Sequence, residues 1–213
     1  MSEADGKSAQ KRPRRPQAER SAETRARLIE ATIACLHRGG YGLTTVGMVA
    51  EEAGVSRGAL THQFPSKIDL MLAVVRHVFE QEAAAYAKAL DAKPAAEALS
   101  YLPEIMWEVL SRPPAIAVTE IMLATRSDPA LSDELRLMQA EIDRVARERI
   151  TRRIAAAGLT DRPDGAAIHR LFVAAVRGLA IEAVSTRDRE RAGESVAVLS
   201  EVLGLLYPAA RRA

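Results

Sequence analysis

The stretch from Thr44 to Lys67, TTVGMVAEEAGVSRGALTHQFPSK, constrains this chain more than any other. It predicts two short helices joined by a tight turn. A hydroxyl at Thr44 or Thr45 can accept a hydrogen bond from an otherwise unpaired N–H of the first turn and so cap the first helix. Val46, Val49, Ala50 and Ala53 follow at helical spacing. Gly54 stands where the chain must leave that helix in the left-handed conformation, which glycine adopts without a Cβ penalty. Val55 fills the gap between the helices, and Ser56 caps the second one, Arg57 to Phe64. Pro65 ends it, and Ser66 can cap the next helix.

Helices joined by so short a turn cross steeply and closely, which asks for small residues such as Ala50 and Gly54 at the crossing. This is the helix-turn-helix arrangement, whose second helix enters the DNA major groove. Gly58, Ala59 and Thr61 keep the outer face of that helix low, so backbone and short side chains can approach bases. The bland alternative is a helical hairpin in an unrelated all-α protein. Both caps, the Val55 plug and a small, polar second helix weigh against it. The residues expected to meet DNA are Thr44, Thr45, Ser56, Arg57, Gly58, Ala59, Thr61, His62 and Lys67. Lys67 adds charge where the N–H groups of the next helix already attract phosphate.

The segment GVSRGALTHQFPSK resembles the recognition segment of TetR-type (tetracycline-repressor-like) transcription regulators. Those usually show Gly-Val-Ser-x-Gly-x-Leu-Tyr-x-His-Phe followed by a short turn containing lysine. The upstream run RLIEATIACLHRGGYGLTTV is similar to their first helix and its exit, so the resemblance covers about Arg25 to Leu72. Thr61 occupies the place usually held by tyrosine. The resemblance implies a sequence-specific regulator, usually a repressor, with a helical second domain that holds a small-molecule effector.

Composition bounds the remainder. At 213 residues, 48% hydrophobic and 27% charged, the chain can bury a full core. With only 4% aromatic residues and abundant Ala, Leu, Arg and Glu, it favours helices over sheets. No run of eighteen apolar residues suggests a membrane span, and the charged N-terminus lacks the apolar stretch of a secretory signal. A cytoplasmic location is therefore expected. The single cysteine, Cys35, reads as a small buried hydrophobe. Net charge is uneven: residues 1–67 carry 11 basic against 7 acidic side chains (+4), and residues 68–213 carry 19 against 21 (−2). The positive excess sits with the expected DNA reader, as phosphate attraction requires.

In chain order, residues 1–20 read as a disordered basic arm containing KRPRRP, with Arg12, Arg14 and Arg15 able to reach DNA phosphates or the minor groove. A helix from about Ala22 to Arg38 buries Leu28, Ile29, Thr32, Ile33, Cys35 and Leu36 and ends at Gly39-Gly40, with Tyr41 and Leu43 packing back onto the core. Residues 21–68 thus form a helix-turn-helix DNA-binding domain. Residues 69–213 form a larger helical domain for effector binding and dimerisation. Its first helix, Asp69 to about Ala92, is the mechanical link from the head, and Ala95 to Leu110 is the next. The last two helices, 166–184 and 195–207, carry apolar residues nearly all the way round, more than one buried stripe requires. That surplus predicts a homodimer through these helices, placing two heads on a pseudo-palindromic double-stranded DNA operator.

Enzymatic chemistry finds no support. His37, His62, His77 and His169 show no metal-ligand spacing, and no phosphate loop or nucleophile elbow is present. No catalytic residue, metal or cofactor is expected. For the effector pocket that the resemblance implies, the candidates are Met106, Trp107, Met122 and Phe172 as adaptable walls, with Glu120, Arg126 and His169 as polar contacts. The expectation is an all-α, dimeric, ligand-responsive DNA-binding regulator. The rival is a helical interaction or architectural DNA-binding protein without an effector.

Overall fold

The structure, a computed structural model, describes residues 17–94, 97–156 and 164–208. Helices account for nearly all of them, and no strand occurs among the described residues. The order is α1 Gln17–Leu43, α2 Val46–Glu52, α3 Arg57–Gln63, α4 Lys67–Asp91, a 3₁₀ turn Ala98–Tyr101, then α5 Leu102–Leu110, α6 Pro113–Ala124, α7 Pro129–Ala156, α8 Gly165–Thr186 and α9 Arg189–Leu206.

Three boundaries differ from expectation for local reasons. Helix α1 starts at Gln17, inside the expected arm, because Gln-Ala-Glu-Arg is good helix-forming sequence. Residues 1–16, with Arg12, Arg14 and Arg15, lie outside the described residues. Over its described residues, the helix expected from Ala95 to Leu110 is a 3₁₀ turn, Ala98–Tyr101, followed by a shorter α-helix with Pro103 in its first turn. Helix α9 starts at Arg189, with Asp188 accepting from the Arg191 N–H at 3.0 Å.

Apolar side chains gather in two clusters. The first joins α1, α2 and α3 to the N-terminal half of α4, and continues into Ala117, Val118, Ile121 and Ala124 of α6 and Leu131 and Leu135 of α7. Apolar packing thus runs unbroken from the helix-turn-helix into α6. The second collects Leu90, α5, the start of α6, Ile154, and the inner faces of α8 and α9. On α8, Phe172, Val176 and Ala180 recur every four residues and point inward. Leu171 (65% exposed), Ile181 and Val184 point away from the body, as do Val198, Val202 and Leu205 on α9.

The Gly39-Gly40 exit interrupts α1, as expected: Gly40 is non-helical, and a short further turn carries on past the bend to Leu43. Gly40 has φ 72 and ψ 177, and its carbonyl accepts from the Thr44 hydroxyl at 2.8 Å. This corrects two expectations. Thr44 is buried and ties its hydroxyl to that bend, so it presents nothing to DNA. Leu43 does not pack back onto the core; the bend leaves it 69% exposed.

Candidate nucleic-acid interface

Helices α2, α3 and α4 are each started by a hydroxyl. Thr45 accepts from the Met48 N–H at 3.3 Å, Ser56 from Ala59 at 3.1 Å, and Ser66 from Asp69 at 3.0 Å. The Asp69 carboxylate accepts from the Ser66 N–H at 2.9 Å, which closes a capping box. Gly54 takes φ 62, and its N–H donates to the Glu51 carbonyl at 2.9 Å. Val55 sits in the first apolar cluster between the two helices. The turn geometry is therefore local chemistry, as expected.

Arginines of α1 splint this unit from behind. The Arg27 guanidinium donates to the Ala53 carbonyl, and to Gly54 at 3.4 Å. The Arg25 guanidinium lies 4.4 Å from the centroid of the buried Phe64 ring and donates to the Gln63 carbonyl at 3.5 Å. Arg38 pairs with Glu52 of α2 at 2.6 Å, and Gln63 donates to the Ser21 hydroxyl at 2.8 Å. The expectations did not include Arg25 and Arg27 as functional. Their signal was faint: two arginines flanking the first apolar turn of α1.

With its back held, α3 buries Leu60 and presents Arg57, Gly58, Thr61 and His62 on one exposed face. Ala59 is half-buried. The Thr61 hydroxyl donates to the Arg57 carbonyl at 2.9 Å, so its methyl and acceptor lone pairs face outward. Gly58 is informative because a Cβ there would meet only the Ser56 Oγ at 3.9 Å. A helical glycine costs about 1 kcal/mol relative to alanine, and nothing inside the molecule requires this one. Its compactness serves whatever approaches from outside.

Lys67 points elsewhere. Its ammonium donates to the Tyr41 carbonyl at 3.1 Å and stands 3.8 Å from the Tyr41 ring centroid. Burial lowers its pKa, against the opposing charge of Asp128. A phosphate contact by Lys67 competes with these bonds.

The effector candidates divide between the clusters. Met106, Trp107 and Phe172 are buried in the second. Met122 packs against the first, Glu120 touches the Gly40–Tyr41 bend, and Arg126 is exposed. Neither a cavity beside Glu82 nor a groove between α1 and α4 is lined by any of them. Ionisable groups meet instead between α4 and α8: Glu82 and Tyr86, absent from the expectations, and His169, which was among them. Burial pushes the Glu82 carboxyl up to about 7, with Arg177 opposing, and also raises the Tyr86 hydroxyl. Burial lowers the neighbouring His169, where Asp143 opposes it. Glu82 also lines a cavity of about 50 Å³ with Val78, Ala85, Val109 and Pro114. Its signal was legible as an acid four residues after Val78 on an otherwise apolar stripe. A larger surface groove, about 370 Å³, lies between α1 and α4.

Comparisons with known proteins agree with this geometry. Residues 28–74 match the family model described as bacterial regulatory proteins, tetR family. The chain is 31% identical over 179 residues to the HTH-type transcriptional regulator CymR of Pseudomonas putida, across 84% of this chain and 88% of that protein. A transcriptional regulator from Rhodococcus sp. shares the fold with a TM-score of 0.70 at 18% identity, over 89% of this chain and 99% of that one. The multidrug binding protein EbrR, solved with imidazole, superimposes with a TM-score of 0.54 at 28% identity, over 87% of this chain and 90% of that one.

Proposed function

Because this chain belongs to the TetR family of bacterial regulatory proteins, we propose that it represses transcription as a homodimer on a pseudo-palindromic operator and is released by a small-molecule effector. At the coarser level it is an HTH-type transcriptional regulator, a DNA-binding protein and not an enzyme. Its place of action is the cytoplasm, where the chromosome lies. The observation that carries the DNA reading is the outward face of α3, where Arg57, Gly58, Thr61 and His62 are exposed and Gly58 has no internal reason to be glycine. Arg57 suits a guanine edge, and the Thr61 methyl suits a thymine methyl.

Dimerisation is supported by the six apolar side chains that α8 and α9 expose, and by Gly178, whose Cβ position meets nothing within 4 Å. A second copy seated there as a four-helix interface would remove this surface from water. The effector reading is supported by Glu82, Tyr86, His169 and Arg177, half-buried polar groups that interact electrostatically between α4 and α8, with Tyr86 packed against the cluster that holds Trp107 and Phe172. Burying such groups is costly unless partners are supplied, and a polar ligand supplies them. EbrR, described as a multidrug binding protein, indicates that a related chain of this fold holds small molecules.

The test is selection of duplexes from a randomised pool by the full chain, followed by titration of the enriched duplex over a range of salt. A repressor of this type enriches an inverted repeat and retains selectivity of about a thousandfold or more over random DNA at physiological salt. Equal binding to random DNA would instead establish the architectural reading.

A further inference from the structure

Tyr41 is held at four points by three different elements. Its N–H donates to the Glu120 carboxylate of α6 at 3.4 Å. Its hydroxyl donates to the Asp128 carboxylate at 3.0 Å, and the other oxygen of Asp128 caps α7 by accepting from the Leu131 N–H at 3.0 Å. Its carbonyl and its ring both receive the Lys67 ammonium of α4. The bend beside it is shaped for this arrangement, since a Cβ on Gly40 would stand 2.9 Å from the same Glu120 oxygen. Burial, helped by Asp128, pushes the tyrosine hydroxyl up to about 12, so it remains a donor at any physiological pH.

We infer that Tyr41 is a positioning residue for DNA binding: through Glu120 and Asp128 it locks the helix-turn-helix at a fixed angle to α6 and α7. Helix α4 is the covalent link between reader and body, and α1 packs on α6 through apolar contacts that hold it close but tolerate sliding. Directional hydrogen bonds from Tyr41, just past the Gly40 bend, remove that slack. The inference concerns how the reader is held and stands whether or not an effector exists.

The test uses the full chain with Cys35→Ala, spin labels at Glu51→Cys on α2 and Arg147→Cys on α7, and dilution into unlabelled protein so that only intrachain distances are read. DNA affinity is measured on the duplex that the unaltered chain enriches from a random pool. Glu120→Ala is expected to broaden the distance distribution and weaken binding by about tenfold, as loss of a hydrogen bond to a charged acceptor predicts. Tyr41→Phe, which keeps the ring under Lys67, should do the same to a smaller extent. Glu120→Gln retains an acceptor and should restore both readouts. The inference is overturned if Glu120→Ala leaves either the distance distribution or the affinity as in the parent. It is equally overturned if affinity falls only in step with thermal stability while the distances stay unchanged, in Glu120→Ala or, should that variant not fold, in Tyr41→Phe.

Discussion

The reader and the body leave opposite kinds of surface unsatisfied. In the reader, hydroxyl caps and α1 arginines satisfy the backbone of α2 and α3 from within, and the bare face of α3 is small and polar. In the body, the bare faces of α8 and α9 are apolar, while half-buried ionisable groups such as Glu82 lie between α4 and α8. A small polar face fits grooves lined with hydrogen-bonding edges. An apolar face fits a copy of itself, and half-buried ionisable groups fit a polar guest. On the proposed function the two regions divide the work: one addresses DNA, and the other brings two copies together and senses chemistry.

Breaking the body's side of this comparison should have the largest effect. Val198→Glu with Leu205→Glu places two charges on the outer face of α9. It should weaken self-association by more than about a hundredfold, roughly 3 kcal/mol or more, read by sedimentation, with loss of selective DNA binding in parallel. Unchanged sedimentation would move the interface elsewhere.

Glu82→Gln comes next, and its sign depends on pH. A carboxyl raised from 4.5 to about 7 makes the folded state hold its proton more tightly than the unfolded one, so stability falls as pH rises from about 4.5 to 7. The glutamine variant should therefore be more stable at pH 8, by up to about 3 kcal/mol, and indistinguishable below about pH 4.5 in urea unfolding. A constant difference across pH would mean that Glu82 is not the titrating group.

Within the reader, Ser56→Ala removes a cap and should cost about 1 kcal/mol of stability at every pH and salt. Gly58→Ala is the smallest in stability and the sharpest in meaning. It should raise stability by about 0.5 to 1 kcal/mol in the same unfolding assay while lowering operator affinity. Gly47→Ala, whose Cβ position is also open, is the control on α2. If Gly58→Ala binds DNA as before, the bare face of α3 is not the one that meets it.

What could be read from residues alone follows the range of the interactions. The caps at Thr45, Ser56 and Ser66 and the left-handed Gly54 depend on neighbours within four residues, and they were legible. Choosing between Thr44 and Thr45 was not, because the bend at Gly40 decides which hydroxyl is buried. The excess apolar surface of α8 and α9 was legible as surplus over one stripe. The effector candidates scattered because residue type does not tell which cluster a side chain joins. Met122 and Met106 look alike in sequence and pack in different cores. Tyr41 meets Glu120 and Asp128 across 79 and 87 residues, a separation no local pattern reports.

The arginine splints carry a consequence for how the protein finds its target. Among residues 17–67 there are six basic and five acidic side chains, and Arg25, Arg27, Arg38 and Lys67 are spent on contacts inside the molecule. Residues 1–16 hold a net charge of +3. Dwell time on random chromosomal DNA scales with the phosphates neutralised and the counterions released. A reader with Arg57 as its outward cation on α3 and most of its other cations engaged internally is expected to slide little, so removal of residues 1–16 should shorten dwell time on random DNA if that segment supplies the missing charge.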